Sequence, residues 1–203
     1  MWQVVFMVNQ AVASDATVAV ARIEARYVRA PGFEAKFVQT TRSSWGESSD
    51  RGSLALQRPG QFRWDFAADG RVYACDGHTL VAWTPMDHTY LKGPAGEIAA
   101  TPALGLLQSL DTLDEYFVVD LVSDDASGVL LSLVPRTPDG MVASVRLRLA
   151  VDLTVQSVVV LDALGSVTEV AFSEVRVGPI AADRFRFPPP VGATVIDATG
   201  GMQ

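Results

Sequence analysis

Most of this chain consists of short runs in which apolar and polar residues alternate, and this pattern restricts the fold more than any other feature. In the clearest run, Phe62, Trp64 and Phe66 alternate with polar neighbours, which places all three rings on one face of a strand. Asp69-Gly70 and Asp76-Gly77 separate such runs and are strong hairpin signals, because both dipeptides favour the backbone of tight turns. The chain from residue 33 onward is therefore predicted to be mainly β.

About eleven such runs follow one another between residues 33 and 177, and most are joined by a few residues with turn chemistry. Short connections predict antiparallel neighbours, because a parallel pair needs a long crossover. A sheet of that many strands does not stay flat. We therefore predict a mainly β (α+β) fold, an unclosed antiparallel β-barrel of about eleven strands with an N-terminal helix and a helical lid insertion.

The N-terminal helix is predicted from a change of period. Ala16, Val20, Ile23 and Tyr27 recur at spacings of three and four residues, which makes one apolar face. Asp15 is a suitable N-cap residue immediately before this face. We therefore expect a helix that begins at Asp15 and ends at the Pro-Gly pair after residue 30.

A second helical segment is predicted between residues 93 and 115. Pro94 and Pro102 interrupt the strands there, and Leu104 and Leu107 lie one helical turn apart on one side. A helical insertion between two runs of strands is well placed to cover the mouth of the curved sheet. We expect it to act as a lid, with both leucines facing the sheet.

The first thirteen residues are predicted to be a truncated signal peptide. Residues 1–8 are apolar apart from Gln3, and Ala11-Val12-Ala13 has the small residues that precede a cleavage site, but the positive leading region is missing. Residues 14–203 contain no repeat or linker, so we expect one domain there. No run approaches the roughly 20 apolar residues of a membrane-spanning helix.

Charge and cysteine content exclude several classes of function. The net charge of −7 excludes nucleic acid as a partner, because phosphate binding needs a basic face. A single cysteine, Cys75, forms neither an internal disulfide nor a thiolate zinc site. We expect a monomer without metal or cofactor.

Few residues suggest catalysis. The two histidines, His78 and His88, lie near opposite ends of one predicted hairpin, where a surface position is the simpler interpretation. The sequence has no G-x-S-x-G elbow and no glycine-rich phosphate loop. A hydrolase that uses either histidine would need an acidic or serine partner nearby in space. We therefore expect that the protein is not an enzyme.

The aromatic residues allow two interpretations. Phe37, Phe62, Trp64, Phe66 and Trp83 lie on several predicted strands, and such a set most simply forms a packed core. A large or unclosed barrel, however, leaves room for a ligand cavity, and the same side chains would then form the cavity wall. Alternation alone does not separate these two interpretations.

The segment Leu56–Trp64 contains RPGQFRW, the segment Cys75–Leu80 contains DG-x-x-L, and the segment Phe185–Gly192 contains FRFPPPVG. Together these motifs resemble the LolA family of outer-membrane lipoprotein carriers. Their order and spacing match the family from about residue 18 to residue 196. The resemblance implies an unclosed barrel with a helical lid, in agreement with the periodicity.

The resemblance also implies roles for individual residues. Arg58 matches the family's arginine that donates hydrogen bonds to lid carbonyls and holds the empty carrier closed, so we expect a lid latch. Phe62 matches an aromatic residue tied to ligand handling and transporter engagement, and Trp64 matches the neighbouring wall position. With Phe37, Phe66 and Trp83, they form the predicted wall of an acyl-chain cavity.

The function implied is that of a periplasmic chaperone. It would receive acylated lipoproteins from an inner-membrane ABC transporter and pass them to an outer-membrane receptor. Two alternatives remain open at this point: a related lipid- or glycolipid-binding export factor of the same fold, and a non-enzymatic β-domain for protein interactions whose interior is fully packed.

Overall fold

The computed structural model describes the backbone of residues 2–95, 102–137 and 141–198, and the side chains of those residues from position 15 onward. The predicted signal peptide, residues 1–13, therefore lies outside the described side chains. The predicted lid lies partly outside the described residues, since nothing is described for residues 96–101.

The elements follow the alternation closely. The helices are α1 (Trp2–Arg29), α2 (Pro102–Gln108) and α3 (Leu113–Tyr116), with 3-10 turns at Pro85–Asp87 and Ala182–Phe185. The strands are β1 (Gly32–Ser43), β2 (Gly46–Gln57), β3 (Gln61–Phe66), β4 (Val72–Asp76), β5 (Thr79–Thr84), β6 (Thr89–Pro94), β7 (Phe117–Asp125), β8 (Gly128–Pro135), β9 (Val142–Leu149), β10 (Val155–Asp162), β11 (Val167–Val177) and β12 (Thr194–Asp197).

All strands belong to one open sheet, in the order β12-β6-β5-β4-β3-β2-β1-β11-β10-β9-β8-β7. Two antiparallel meanders, β1 to β6 and β7 to β11, join where β1 pairs with β11. In the described part of the chain, β7 and β12 are the two edges and do not pair with each other. The predicted unclosed antiparallel sheet is confirmed.

The described residues form twelve strands, in line with the predicted number of about eleven. The last of them is the short segment Thr194–Asp197, which pairs with β6. This pair is parallel, with Thr194 opposite Thr89. A parallel pair needs a long connection between its two strands, and residues 95–193 separate β6 from β12.

Helix α1 begins earlier than predicted. It runs from Trp2 to Arg29, so Asp15 lies inside the helix and is not its N-cap. No glycine or proline occurs before Pro31, so nothing in the sequence stops the helix upstream of Asp15. The predicted apolar face is confirmed, since Ala16, Val20, Ile23 and Tyr27 are all buried. No helix in the described part of the chain has the length and apolar content needed to cross a membrane.

One core fills the concave side of the sheet. Inward side chains from β1 to β5 and from β8 to β11 form a single cluster with side chains of all three helices. A cluster that joins β5 to β8 through the helices requires the sheet to curve around them. The helices therefore occupy the interior that the curved sheet encloses.

A second, smaller cluster lies on the opposite, convex face. It contains Val72, Val81, Trp83 and Tyr90, and Phe187 of the C-terminal segment packs against it. The Tyr90 hydroxyl donates a hydrogen bond of 2.6 Å to the carbonyl of Phe187. This cluster fixes the C-terminal segment to the outside of the sheet.

Candidate functional site

Arg58 joins the sheet, α1 and α2 at one point. Its Nη2 donates hydrogen bonds to the backbone carbonyls of Tyr27 (2.9 Å) and Ala30 (2.8 Å) at the end of α1. Its Nη1 donates to the carbonyl of Leu107 in α2 (3.3 Å). The last carbonyls of a helix have no partner within the helix, so one buried cation satisfies acceptors at the ends of two helices.

The charge of Arg58 is compensated by groups on the helical side. Its Nε lies 3.8 Å from Asp111 Oδ1, and its guanidinium carbon lies 5.2 Å from the centroid of the Tyr27 ring. Burial lowers the pKa of Arg58 from its usual value, while the charge of Asp111 opposes this change. Arginine nevertheless stays protonated at neutral pH. Moving the helices away would leave a charge that needs new partners.

Gln108, at the end of α2, forms a second link between the lid and the sheet. Its Oε1 accepts a hydrogen bond from the Gly60 amide (3.2 Å), and its Nε2 donates to the Gln61 carbonyl (3.2 Å). Gly60 belongs to the turn between β2 and β3, which also carries Arg58, and Gln61 is the first residue of β3. The sequence contained no signal for this contact, because a single glutamine at the end of a helix has no characteristic pattern.

The leucines of the lid face the concave side of the sheet. Leu104 is 2% exposed and Leu107 is 1% exposed, and both belong to the central core. Leu106, Leu110 and Leu113 are buried in the same core. Leucine side chains of this helical segment therefore fill part of the interior.

Four of the five predicted wall residues come together. Phe37, Phe62, Trp64 and Phe66 are all buried in the central core. The Phe37 ring packs edge-on against Trp64 (centroids 5.3 Å apart) and Phe66 (5.4 Å), and the Trp64 and Phe66 rings stack at 5.8 Å. These four rings form the aromatic part of the concave surface, and their role toward a ligand stays a prediction.

Gly52 makes this aromatic arrangement possible. It pairs with Phe37 on β1 and with Phe66 on β3, so it lies between the two rings in the sheet. A Cβ at this position would lie 1.8 Å from the Asp65 carbonyl oxygen and 2.9 Å from the Phe37 ring. Only glycine leaves room there for the two rings to meet across β2.

Trp83 is not part of this arrangement, and the prediction that grouped it with the other four was wrong. It lies in the convex cluster, paired with Val72 on β4 and Tyr90 on β6. Leu80 of the same strand belongs to the concave core, so Trp83, an odd number of residues later, faces the other way. Its aromatic side chain suggested that Trp83 belongs to the same wall as the other four residues. Its position on the convex face of the sheet excludes this.

A cavity of about 450 Å³ lies at the other end of α2. Pro102 and Ala103 of α2 line it, together with Val160, Leu164 and other residues near the hairpin between β10 and β11. Pockets for small ligands typically have volumes of about 300–1,000 Å³. Helix α2 is therefore held by hydrogen bonds at its C-terminal end and lines this cavity at its N-terminal end.

A second cavity, of about 510 Å³, lies between α1 and β7. Its lining includes the charged residues Glu24, Asp114, Asp120 and Arg136. Burial and repulsion by Asp114 raise the pKa of Glu24, although backbone hydrogen bonds oppose the shift. Such a lining suits an acyl chain less well than the cavity beside α2.

The two histidines lie apart from each other in the sheet. His78 and His88 are both exposed, at opposite ends of β5 and its flanking turns. Among the described residues, no three His, Cys, Asp or Glu side chains gather into a group that could hold a metal ion. Cys75 is buried, and burial raises the pKa of its thiol.

Tyr27 anchors α1 and provides a test of the helix position. Its hydroxyl donates to the Leu153 carbonyl (3.0 Å) and accepts from the Val155 amide (3.3 Å). We expect Tyr27→Phe to lower the free energy of unfolding by about 1–2 kcal/mol, because both groups lose a buried partner. Urea denaturation measures the change. Tyr116→Phe, at a 57% exposed position, is the control and should change the free energy of unfolding by less than about 0.5 kcal/mol. Equal changes in the two variants would contradict the anchoring role of Tyr27.

Comparison with known proteins agrees with this geometry. The family model described as "Outer membrane lipoprotein carrier protein LolA" matches residues 29–188. The chain belongs to the LolA family. The matched segment contains Arg58, the four aromatic residues and the lid, but not most of α1.

Individual LolA-family relatives are similar over most of their length. An outer-membrane lipoprotein carrier protein of Pseudomonas syringae pv. syringae is 31% identical over 87% of this chain and 87% of its own. One from Chromohalobacter salexigens is 32% identical over 73% of this chain and 71% of its own.

Solved structures share the fold. An uncharacterized conserved protein from Thermus thermophilus has a TM-score of 0.56 at 16% identity, covering 90% of this chain and 99% of that chain. A chain in the Pseudomonas aeruginosa MucA/MucB complex has a TM-score of 0.50 at 17% identity, covering 86% of this chain and 61% of that chain.

Proposed function

We propose that this protein is a periplasmic chaperone that carries lipoproteins from the inner to the outer membrane, with their acyl chains held on the concave face of the sheet. The main support is the way the lid covers that face. An apolar helix, α2, fills the interior, yet its described hydrogen bonds to the sheet come mainly from Arg58 and Gln108. The curated relatives named as outer-membrane lipoprotein carriers support the same function.

The energetic problem that such a carrier solves is large. Each methylene exposed to water costs about 0.8 kcal/mol, so one long acyl chain costs on the order of 10 kcal/mol. A concave surface of Phe37, Phe62 and the inward valines and leucines removes that cost if α2 moves aside. Acyl chains would then replace Leu104 and Leu107 in the same apolar contacts.

This exchange explains how binding stays reversible. In the closed protein, α2 already buries the concave surface. The free energy of lipid binding is therefore only the difference between burying that surface under acyl chains and burying it under α2. The bonds of Arg58 to Tyr27, Ala30 and Leu107 favour the closed state. The carrier would therefore hold lipid firmly enough for transport and release it to an acceptor with a stronger apolar site.

The location and partners follow from the proposed role. The protein would be exported to the periplasm by the signal peptide at residues 1–13 and act there as a monomer. An inner-membrane ABC transporter would load it, and an outer-membrane receptor would unload it. It would act by binding alone, without catalysis.

A direct test uses a fluorescent triacylated lipopeptide in phospholipid vesicles. We expect the purified protein to move this lipopeptide into the supernatant after the vesicles are sedimented, in a saturable manner. The physical reason is that the concave face replaces the bilayer around the acyl chains. The fluorescence of the supernatant as a function of protein concentration measures the transfer.

The same peptide without acyl chains is the control, and its distribution should not depend on the protein. If the lipopeptide stays with the vesicles at every protein concentration, the carrier function is wrong. A packed interaction domain of the same fold would give that result. Transfer of a glycolipid but not of the lipopeptide would instead favour the related export factor.

A further inference from the structure

Trp64 carries a buried N–H group without an acceptor. The ring is 1% exposed, and no described residue accepts a hydrogen bond from its Nε1. Among the described residues, one other buried side-chain nitrogen has no hydrogen-bond partner, Arg58 Nε. It lies 3.8 Å from a carboxylate oxygen of Asp111. Trp64 has no comparable partner in the described part of the chain.

The surroundings of Trp64 explain why the group is unpaired. Phe37 packs edge-on against its ring and Phe66 stacks on it, and its partners across the strands are Leu54 and Tyr73. The Trp64 N–H lost its hydrogen bonds to water on folding and gained none from the described residues of the closed protein. Buried polar groups are nearly always paired, so an unpaired donor inside the proposed binding surface calls for an explanation.

Packing alone does not require this donor. Phe37, Phe62 and Phe66 fill neighbouring positions of the same surface without any polar atom. An indole differs from these rings by its larger area and by one N–H. If the N–H only cost free energy, an apolar ring would serve the core better.

An acyl chain carries an acceptor of the kind that this donor lacks. Such a chain is joined to its carrier molecule by an ester or amide, whose carbonyl oxygen enters the apolar site together with the hydrocarbon. That oxygen also loses water and needs a donor. The unpaired donor of the protein and the unpaired acceptor of the ligand compensate each other.

We propose that Trp64 Nε1 donates a hydrogen bond to an acyl carbonyl oxygen of the bound lipid after α2 has moved aside. Trp64 is then a specificity-determining residue that favours acyl lipids over alkyl lipids. The inference rests on the proposed carrier function and adds to it the chemical group that is recognised. The hydrocarbon part supplies affinity, and the carbonyl supplies selectivity.

The test compares two lipids that differ only in their carbonyls, dioctanoylglycerol with ester links and dioctylglycerol with ether links. Each displaces a fluorescent fatty-acid analogue from the delipidated protein. The two lipids differ in hydrophobicity, so the ester-to-ether affinity ratio is measured for each protein and compared between proteins. We expect the ester-to-ether affinity ratio of Trp64→Phe to be about five- to tenfold lower than that of the unsubstituted protein. Trp83→Phe, on the convex face, is the matched control and should leave the ratio unchanged.

A second measurement needs no functional variant. In ¹⁵N-labelled protein, the indole N–H signal of Trp64, assigned by its loss in Trp64→Phe, should move downfield with the ester lipid and not with the ether lipid. The inference is overturned if both lipids bind with the same ester-to-ether affinity ratio in all three proteins and the Trp64 signal responds to both lipids alike. That result would leave the carrier function standing, because both lipids would still bind. If neither lipid binds the unmodified protein, the carrier function and this inference fail together.

Discussion

Replacing Arg58 with methionine is expected to lower the free energy of unfolding by about 3–5 kcal/mol and to release α2 from the sheet. Methionine keeps much of the length of the side chain but donates no hydrogen bond. The carbonyls of Tyr27, Ala30 and Leu107 would lose a charged donor within the closed interior. This is a larger loss than that of an ordinary hydrogen bond, because one side chain serves all three acceptors.

Two measurements separate lid release from general destabilisation. Urea denaturation gives the free energy of unfolding, and hydrogen–deuterium exchange reports local opening. We expect exchange in α2 to rise more than exchange in the central strands β1 and β2. Arg58→Lys should have an intermediate effect, since an ammonium group lacks the planar fork that reaches several carbonyls.

Arg42→Met is the matched control. Arg42 is exposed and pairs with Glu47 at 2.7 Å, so its loss should cost less than about 0.5 kcal/mol and leave exchange in α2 unchanged. In lipid-binding experiments, Arg58→Met should bind the lipopeptide more tightly and release it more slowly, because the closed state that competes with lipid has been weakened. Unchanged exchange in α2 and unchanged lipid release would contradict the latch.

Phe37→Ala is expected to produce the second large effect, a loss of about 3–5 kcal/mol in the free energy of unfolding. The Phe37 ring is 2% exposed and contacts both Trp64 and Phe66 edge-on. Gly52 occupies the neighbouring position on β2 and has no side chain that could fill the resulting space. The cavity left by the ring would therefore collapse only in part.

Thermal and urea denaturation with the far-UV CD signal measure this loss. Trp45→Ala is a demanding control, because it removes a larger ring at a 96% exposed turn position and should change the stability by less than about 0.5 kcal/mol. Phe37→Leu should recover most of the stability. Equal losses in Phe37→Ala and Trp45→Ala would show that the concave aromatic surface does not contribute to the core as described.

Local sequence signals predicted much of the fold. The alternation of Phe62, Trp64 and Phe66 corresponds to β3, and hairpin dipeptides such as Asp76-Gly77 mark real turns between neighbouring strands. Such signals act over a few residues and depend on backbone preferences that are the same in any protein. For this reason the antiparallel order within each meander followed from the chain alone.

Other features depended on contacts between distant parts of the chain. The parallel β12 was missed because four exposed residues carry no strand pattern of their own. Helix α1 was predicted too short because Asp15 has a side chain suited to an N-cap, whereas the helix runs through this position from Trp2. In both cases a weak local preference did not decide the extent of the element.

The candidate site divides in the same way. The sequence by itself determined that aromatic side chains alternate along β3 and, through the family motif, that Arg58 is placed beside them. Only the tertiary structure decided that Trp83 lies on the convex face, that Gly52 separates two rings, and that the Trp64 N–H has no acceptor among the described residues. The physical reason is that alternation defines two faces within a strand, whereas the curvature of the sheet and the position of the helices determine what each face meets.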